Sequence, residues 1–565
     1  MKNYRIRESA PENVKKELSG YSEILQNLLF NRDIVTKDGA ESFLNPEYER
    51  DTNDPYLLKD IKKASKRILD AIKRNEKILI YSDYDADGIP GAVILHDFFK
   101  KAGFKNFENY IPHRNDEGFG LNNEAVIEFQ KKGFKLIITI DCGINDIKEV
   151  KKAKELKIDV IITDHHLPGA VVPDAYAIVN PNQKGDKYPF KQLCGSAVIF
   201  KLVQVLIQEG GFDIKSGWDK WLLDMVGLAT ISDMVPLNGE NRTFSYYGLL
   251  VLRKTRRPGL ISLYEEAYLH RDKLSEDDIC FVVTPRINAA SRMDDVYTAF
   301  NLLKSEEEAE AKAGAKKLTE LNNKRKVITA SMVKEIKSKL SKRGEIPKII
   351  VAGNTKWVPS ILGLVAGNLA NEFNRPVFLW GQNGYEEIRG SCRSEQKTDV
   401  FSLMHKLPKD FFIHFGGHKF SGGFGILNKN VHFLEEELLK SFEETDGPDE
   451  DDSSLIDAVL PIEKINRNLY NEISRLAPFG TGNPKPVFLI NNLLVKSIEK
   501  FGKNKEHLKL NFTSSQNIQA ISFFSDENSF SSEVSEGSPI NLVASLEESY
   551  FRNYPELRLR IVDII

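Results

Sequence analysis

The stretch KILIYSDYDADG, residues 77–88, carries an apolar run of strand length into three aspartates, Asp83, Asp85 and Asp87. Two later runs repeat the arrangement. KLIITIDCG (135–143) arrives at Asp141, and DVIITDHH (159–166) arrives at Asp164, His165 and His166. Amphipathic stretches such as GAVILHDFFKKAG (91–103) lie between them. Short apolar runs alternating with helical patterns predict βαβ units around a parallel sheet. In an open parallel sheet the residues at the carboxyl ends of neighbouring strands converge on one crevice, where such folds bind ligands. The three runs therefore predict one cluster of carboxylates and imidazoles.

Carboxylates packed together repel one another and raise their own pKa values unless a cation neutralises them. Oxygen-rich ligation with one or two imidazoles suits Mn²⁺ or Mg²⁺ better than zinc. Two such ions about 3.5 to 4 Å apart activate a water and stabilise the attacking and leaving oxygens of a phosphodiester. Any one strand-end aspartate is more often a helix cap or turn residue. Three successive strand ends make that reading insufficient. DYDADG also resembles the start of a calcium loop, but a strand precedes it and Ile94 stands where an EF-hand needs its closing Glu.

The rest of the chain organises around this region. Residues 1–75 read as an N-terminal helical region and 76–300 as the catalytic α/β domain. Residues 301–345, rich in Ala, Glu, Lys and Leu, predict one or two long connecting helices. A second, smaller α/β domain spans 346–442. The acidic stretch 443–454 reads as a solvated linker, and 455–565, with alternating apolar positions, as a small β-barrel. The fold class is thus α/β multidomain with a C-terminal β-barrel.

DYDADG, IDCG and DHH, in this order, resemble motifs I to III of the DHH phosphoesterase superfamily. The remainder resembles its RecJ branch of single-strand-specific 5′-to-3′ DNA exonucleases. The likeness is carried by NPNQKGDKYPFKQLCGSAVIFKL (180–202), LLDMVGLATISDMVPLNGENR (222–242) and TPRINAASRMDD (284–295). WVPSILGLVAGNLA (357–370), RGSCRS (389–394) and FGGHKFSGG (415–423) resemble the DHH-associated domain, and LAPFGTGNPKPVF (476–488) the entry to an OB-like fold. The resemblance implies that Asp85, Asp87, Asp141, His165 and Asp233 ligate the metals, with Asp141 bridging and Asp83 a weaker candidate. It places His166 beside the scissile phosphate, as a proton shuttle or as an orienter of His165. Asp164 reads as a loop brace and Asp224 as a buried helix residue.

Arg286, Asn288 and Arg292 are polar groups in a small-residue segment suited to gripping phosphates. Ser391, Arg393 and His418 sit in glycine-rich turns where backbone N–H groups can approach an anion. Arg114, near Phe119, is a further nucleic-acid candidate. In the barrel, Phe501, Lys503, Lys505, His507, Lys509, Phe512, Tyr550, Arg552, Tyr554 and Arg558 interleave aromatic and basic character, as single-strand-binding folds do. The chain departs from the RecJ pattern at Ser82, at Ser291 and at Val358 and Ser360, where Gly, Gly and a W-H-x-G motif are usual.

The chain has 565 residues, 41% hydrophobic and 28% charged, enough for several packed cores. Its net charge of −3 excludes a wholly basic coat protein. Seven acids with no Lys or Arg fall within 443–454, leaving +4 for the remainder. Four dispersed cysteines without a CxxC pair suggest neither zinc ribbon nor disulfide framework. A cytoplasmic monomer without a membrane span is expected. The expected partners are single-stranded DNA and, by the resemblance, a RecQ-type helicase and a single-strand-binding protein. Two rival readings compete. One is a phosphodiesterase for short oligonucleotides or cyclic dinucleotides, which usually carries His where Tyr81 stands; the other is an inactive scaffold, which would have lost metal ligands.

Overall fold

A computed structural model describes residues 3–293, 295–384, 387–395, 398–443, 453–502, 505–513, 518–550 and 555–565. Most of the acidic linker lies outside the described residues, as do Lys503, Arg552 and Tyr554. The chain forms two compact units. One holds Met1–Asp54, Met234–Tyr247 and Asp451–Ile565, and the other Pro55–Asp233 and Gly248–Glu450. The first 75 residues are therefore divided between the two units.

The larger unit contains a five-stranded, all-parallel sheet. Its spatial order is Phe107–Tyr110, Ile78–Ser82, Leu136–Ile140, Asp159–Thr163, Ala177–Val179. The winding reverses between Ile78–Ser82 and Leu136–Ile140, which makes that gap the crevice of the sheet. Asp83 and Asp141 are the residues that leave those two strands. Both strands are buried along their whole length, as expected with helices on both faces. Leu79, Tyr81, Ile137, Val160 and Ile162 pack with Val126, Phe129 and Val150 from the helices Asn123–Lys131 and Ile147–Glu155. The helices Gly88–Lys101 and Gly195–Glu209 pack together against the sheet. Gly91 permits this closeness, because a Cβ there would stand 2.6 Å from Ile140 Cγ2.

The connecting segment is two helices, Tyr297–Lys304 and Glu308–Ser341. The second buries Ala311, Ala315, Leu318, Leu321, Asn322, Thr329, Met332, Ile336 and Leu340, a helical stripe along its length. It packs on Thr284–Arg292 from the first domain and on Pro359–Phe373 from the second. The second domain's sheet runs Phe412–His418, Ser421–Ile426, Ile388–Arg393, Val377–Gly381, Ile350–Asn354. Only its last two strands pair in parallel.

In the smaller unit, Phe488–Phe501, His507–Phe512, Gln519–Phe523, Glu556–Ile564 and Pro539–Ser549 pair in that order and close on themselves into a barrel. The N-terminal strand Tyr4–Ile6 pairs in parallel with Ser454–Ile456. Arg242 ties the unit together by donating to the carbonyls of Phe43, Arg475, Leu476 and Ala477.

Candidate metal centre

Each strand-end acid is fixed by one more rung of the sheet. The N–H of Asp83 donates to the Ile140 carbonyl, that of Asp141 to Thr163 and that of Asp164 to Val179. Asp141 sits in the left-handed region (φ +62°), a sparsely populated conformation that surrounding structure must hold in place. Thr139 Oγ1 supplies part of that hold by donating to the Cys142 carbonyl at 2.8 Å. In the DYDADG turn, Asp85 Oδ1 accepts from the N–H groups of Asp87 and Gly88. Gly88 is forced to lack a side chain there, since a Cβ would lie 2.5 Å from the Asp83 carbonyl oxygen.

These turns bring six of the sequence-predicted residues together. His165 Nε2 lies 3.2 Å from Asp141 Oδ1, 3.7 Å from Asp233 Oδ2 and 3.8 Å from Asp87 Oδ2. Asp83, Asp85 and Asp141 form a second cluster within ligating range of one another. Asp233 reaches the site from the C-terminal end of the helix Leu223–Ser232. Burial, followed by repulsion from neighbouring aspartates, pushes Asp83 and Asp141 well above the usual carboxylate range. Burial raises Asp87 as well, against the pull of His165. Asp233 is pushed up to about 9 by burial and by Asp87 and Asp85. Asp83 Oδ1 and Asp141 Oδ1 are buried and accept no hydrogen bond. Burial lowers the pKa of His165, which favours the neutral, ligating imidazole. Repelling carboxylates crowded around an imidazole, two of them with a buried oxygen that accepts no hydrogen bond, fit a divalent cation.

His166 is held differently. Its Nδ1 lies 2.8 Å from Asp164 Oδ1, which also accepts from the N–H groups of His165 and His166. Asp164 Oδ2 accepts from the Ile144 N–H, so this aspartate braces two loops. Burial opposes protonation of His166, but the bond to Asp164 and the charges of Asp164 and Asp233 outweigh it and lift the imidazole to about 9. The ring of Phe119 stands edge-on to it at 5.5 Å. Asp224 is buried and pairs with Arg257, away from the metal ligands in role.

A second constellation carries the opposite charge. Burial, with the nearby guanidinium groups of Arg114, Arg325 and Arg393, pushes Arg292 well below its ordinary pKa. None of these four arginines has a carboxylate in ion-pair range among the described residues. Arg292 Nη1 donates to the Ser360 carbonyl at 2.6 Å, and Ser360 Oγ donates back to the Arg292 carbonyl at 2.8 Å. One of the departures from the family pattern thus contacts the arginine directly. Arg393 Nη1 donates to Ser391 Oγ and to the Cys392 carbonyl, and Arg114 lies over the Tyr84 ring at 4.7 Å.

Other expected contacts fall elsewhere. Asn288 Oδ1 accepts from the Ala86 N–H, bracing the DYDADG turn. Arg286 donates to the Val282 carbonyl and to Thr319. His418 is exposed at the end of its strand. In the barrel Phe512 is core, Lys509 pairs with Glu499 and Arg558 with Glu547. His507 there sits within a ring cluster with Phe501, Phe523 and Phe524. Sequence reading missed Arg325, which has no local signal among the other basic residues of its helix. It also passed over Gly195 and Ser196, which open a helix against Asp87.

Fold and site together define a DHH phosphoesterase: residues 77–230 match the DHH family N-terminal domain, and 347–445 the DHHA1 domain. Residues 456–563 match the RecJ OB domain. The single-stranded-DNA-specific exonuclease RecJ of Bacillus subtilis is 35% identical over 545 residues, covering 96% of this chain and 67% of that protein. The RecJ of Haemophilus influenzae is 31% identical, covering 81% and 82%. The chain belongs to the RecJ family. RecJ of Thermus thermophilus in complex with Mn²⁺ shares the fold, with a TM-score of 0.82 at 24% identity, over 100% of this chain and 79% of that one. A structure of exonuclease RecJ bound to manganese is 28% identical with a TM-score of 0.60, over 69% of this chain and 96% of that one. Among the described residues no helix is long and apolar enough to cross a membrane.

Proposed function

We propose that this chain is a metal-dependent exonuclease that hydrolyses the phosphodiester bonds of single-stranded DNA from the 5′ end, in recombination and repair. The observation that carries the reading is the pairing of two complementary sites in one unit: a buried cluster of mutually repelling carboxylates and an arginine cluster that, among the described residues, has no carboxylate in ion-pair range. A DNA phosphate satisfies the second while divalent ions satisfy the first.

Asp87, His165 and Asp233 would hold one ion, Asp83 and Asp85 the other, and Asp141 would lie between them. Bound there, Mn²⁺ or Mg²⁺ supplies a nucleophilic hydroxide and neutralises charge on the phosphate in flight. His166, whose proton is favoured and steadied by its bond to Asp164, is placed to donate a hydrogen bond or proton to a phosphate oxygen. Arg114, Arg292, Ser391 and Arg393 would grip the phosphate of the strand end by charge-assisted bonds. Asn288 also supports this site through the DYDADG turn. Ring clusters on the barrel would stack unpaired bases without regard to sequence.

The chain is proposed to act in the cytoplasm as a monomer, with a RecQ-type helicase and a single-strand-binding protein as partners. Digestion of end-labelled single-stranded and blunt duplex DNA with Mn²⁺ tests the reading. Release of label from the 5′ end of single strands alone is expected; equal digestion of duplex, or release from the 3′ end, defeats it. Faster turnover of dinucleotides than of long strands would favour the short-substrate reading instead.

A further inference from the structure

The helix Gly195–Glu209 starts against the acidic cluster, and its first two residues touch two different aspartates. Gly195 N–H donates to Asp87 Oδ2 at 2.6 Å and Ser196 N–H to Asp87 Oδ1 at 2.7 Å. Ser196 Oγ donates to the Asp87 carbonyl at 2.6 Å. Both amides belong to the helix turn whose N–H groups have no partner within the helix. The approach is so close that a Cβ on Gly195 would stand 2.6 Å from both Cβ and Oδ1 of Asp141. Cys194 before it is extended and buried, which directs the helix end at the cluster.

The two groups of candidate ligands differ as a result. Asp87, grouped with His165 and Asp233, has each carboxylate oxygen already held by a backbone N–H. In the other group Asp85 has one oxygen held by the Asp87 and Gly88 N–H groups, but Asp83 and Asp141, which is also grouped with His165 and His166, each have a buried oxygen that accepts no hydrogen bond. A ligand held in orientation before the ion arrives loses no freedom on binding, whereas unheld, mutually repelling carboxylates must be organised by the ion itself.

We infer that Gly195 and Ser196 are positioning residues that make the two metal positions unequal, so that the position at Asp87, His165 and Asp233 fills first and that at Asp83 and Asp85 second, with Asp141 shared between them. The inference rests on the two-ion reading above. Gly195 acts by leaving space for Asp141, and Ser196 by fixing the backbone and carboxylate of Asp87.

The test is titration of the full chain, freed of metal, with Mn²⁺ alone, following heat of binding and the resonance signal of free Mn²⁺. Two steps separated by roughly tenfold or more in Kd are expected. Ser196→Ala keeps the amide but loses the hydroxyl bond, and is expected to weaken the first step several-fold while sparing the second. Gly195→Ala displaces Asp141, which is shared by the two positions, and is expected to weaken both steps, the second by about 10- to 100-fold. Melting without metal reports folding; should Gly195→Ala fail to fold, Ser196→Ala carries the test. Two equal steps in the wild type, or Ser196→Ala binding within about twofold of wild type at both steps, overturn the inference. A folded Gly195→Ala that keeps its second step does the same. Absence of any Mn²⁺ binding by the wild type overturns the two-ion reading and this inference with it.

Discussion

Replacing Arg292 by Met should separate two quantities that usually move together, stability and affinity for DNA. Met keeps much of the buried stem and removes the charge. In the protein alone, the Arg292 guanidinium is disfavoured by burial and by Arg114, Arg325 and Arg393, so its removal relieves repulsion. Against this, the bond to the Ser360 carbonyl is lost, and an unmatched buried carbonyl costs about 1–3 kcal/mol. The two effects oppose each other, and the melting temperature should move by only a few degrees. DNA binding has no such compensation. Hydrogen bonds to charged groups contribute about 1.5–3 kcal/mol, so Kd for single-stranded DNA should rise roughly 10- to 100-fold. One phosphate contact fewer should also flatten the plot of log K against log salt by about 0.7 for a single strand. Fluorescence anisotropy with a labelled oligonucleotide in chelator, across a salt series, reads both. An unchanged Kd and salt slope in a folded variant would refute the reasoning, because the arginine cluster would then not be a phosphate site.

Further predictions concern the metal centre and the second unit. Asp141→Asn should abolish Mn²⁺ binding at one position at least and stop hydrolysis, while the metal-free protein melts no lower than wild type because a repelling charge is gone; calorimetry with melting checks both. The metal-free chain should be more stable at mildly acid pH than at pH 8. Asp233, at about 9 in the fold, binds a proton that the unfolded chain has already released above the ordinary carboxylate range, so its contribution is lost as pH rises toward 9. Melting in chelator across pH reads this, and excess Mn²⁺ should raise the melting temperature most at the alkaline end. Gly88→Ala should stop hydrolysis by driving a methyl into the Asp83 carbonyl, as measured by loss of both Mn²⁺ binding and digestion. Arg242→Met should destabilise the smaller unit by about 3 kcal/mol or more, since four carbonyls lose a charged donor; a lowered calorimetric transition checks it.

Much of the metal centre was legible because the sheet's chemistry is local. Ile78–Ser82, Leu136–Ile140 and Asp159–Thr163 are apolar runs buried on both faces, and the acids at their ends need no long-range information to be placed together. Asp233 came only with the family resemblance, since it reaches the site from a helix end with no strand to announce it. What stayed hidden depends on contacts between distant segments. Nothing near Gly195 says that Asp141 will lie where its Cβ would be, and nothing near Asn288 says that it will brace Ala86. Arg325 reads as one more solvated helix charge until the fold brings it within electrostatic range of Arg292. The same holds for Met234–Tyr247, which follows directly on a metal-site residue yet belongs to the unit that carries the barrel.

The central claim is tested most directly by one digestion. A long single-stranded oligonucleotide labelled at its 5′ end, and the same strand in a blunt duplex, are incubated with the full chain, with Mn²⁺ and with chelator. Labelled mononucleotide released early from the single strand, only with Mn²⁺ and not from the duplex, is the expected result. Digestion that persists in chelator, attacks the duplex equally or leaves the 5′ label on shortened strands would contradict the account.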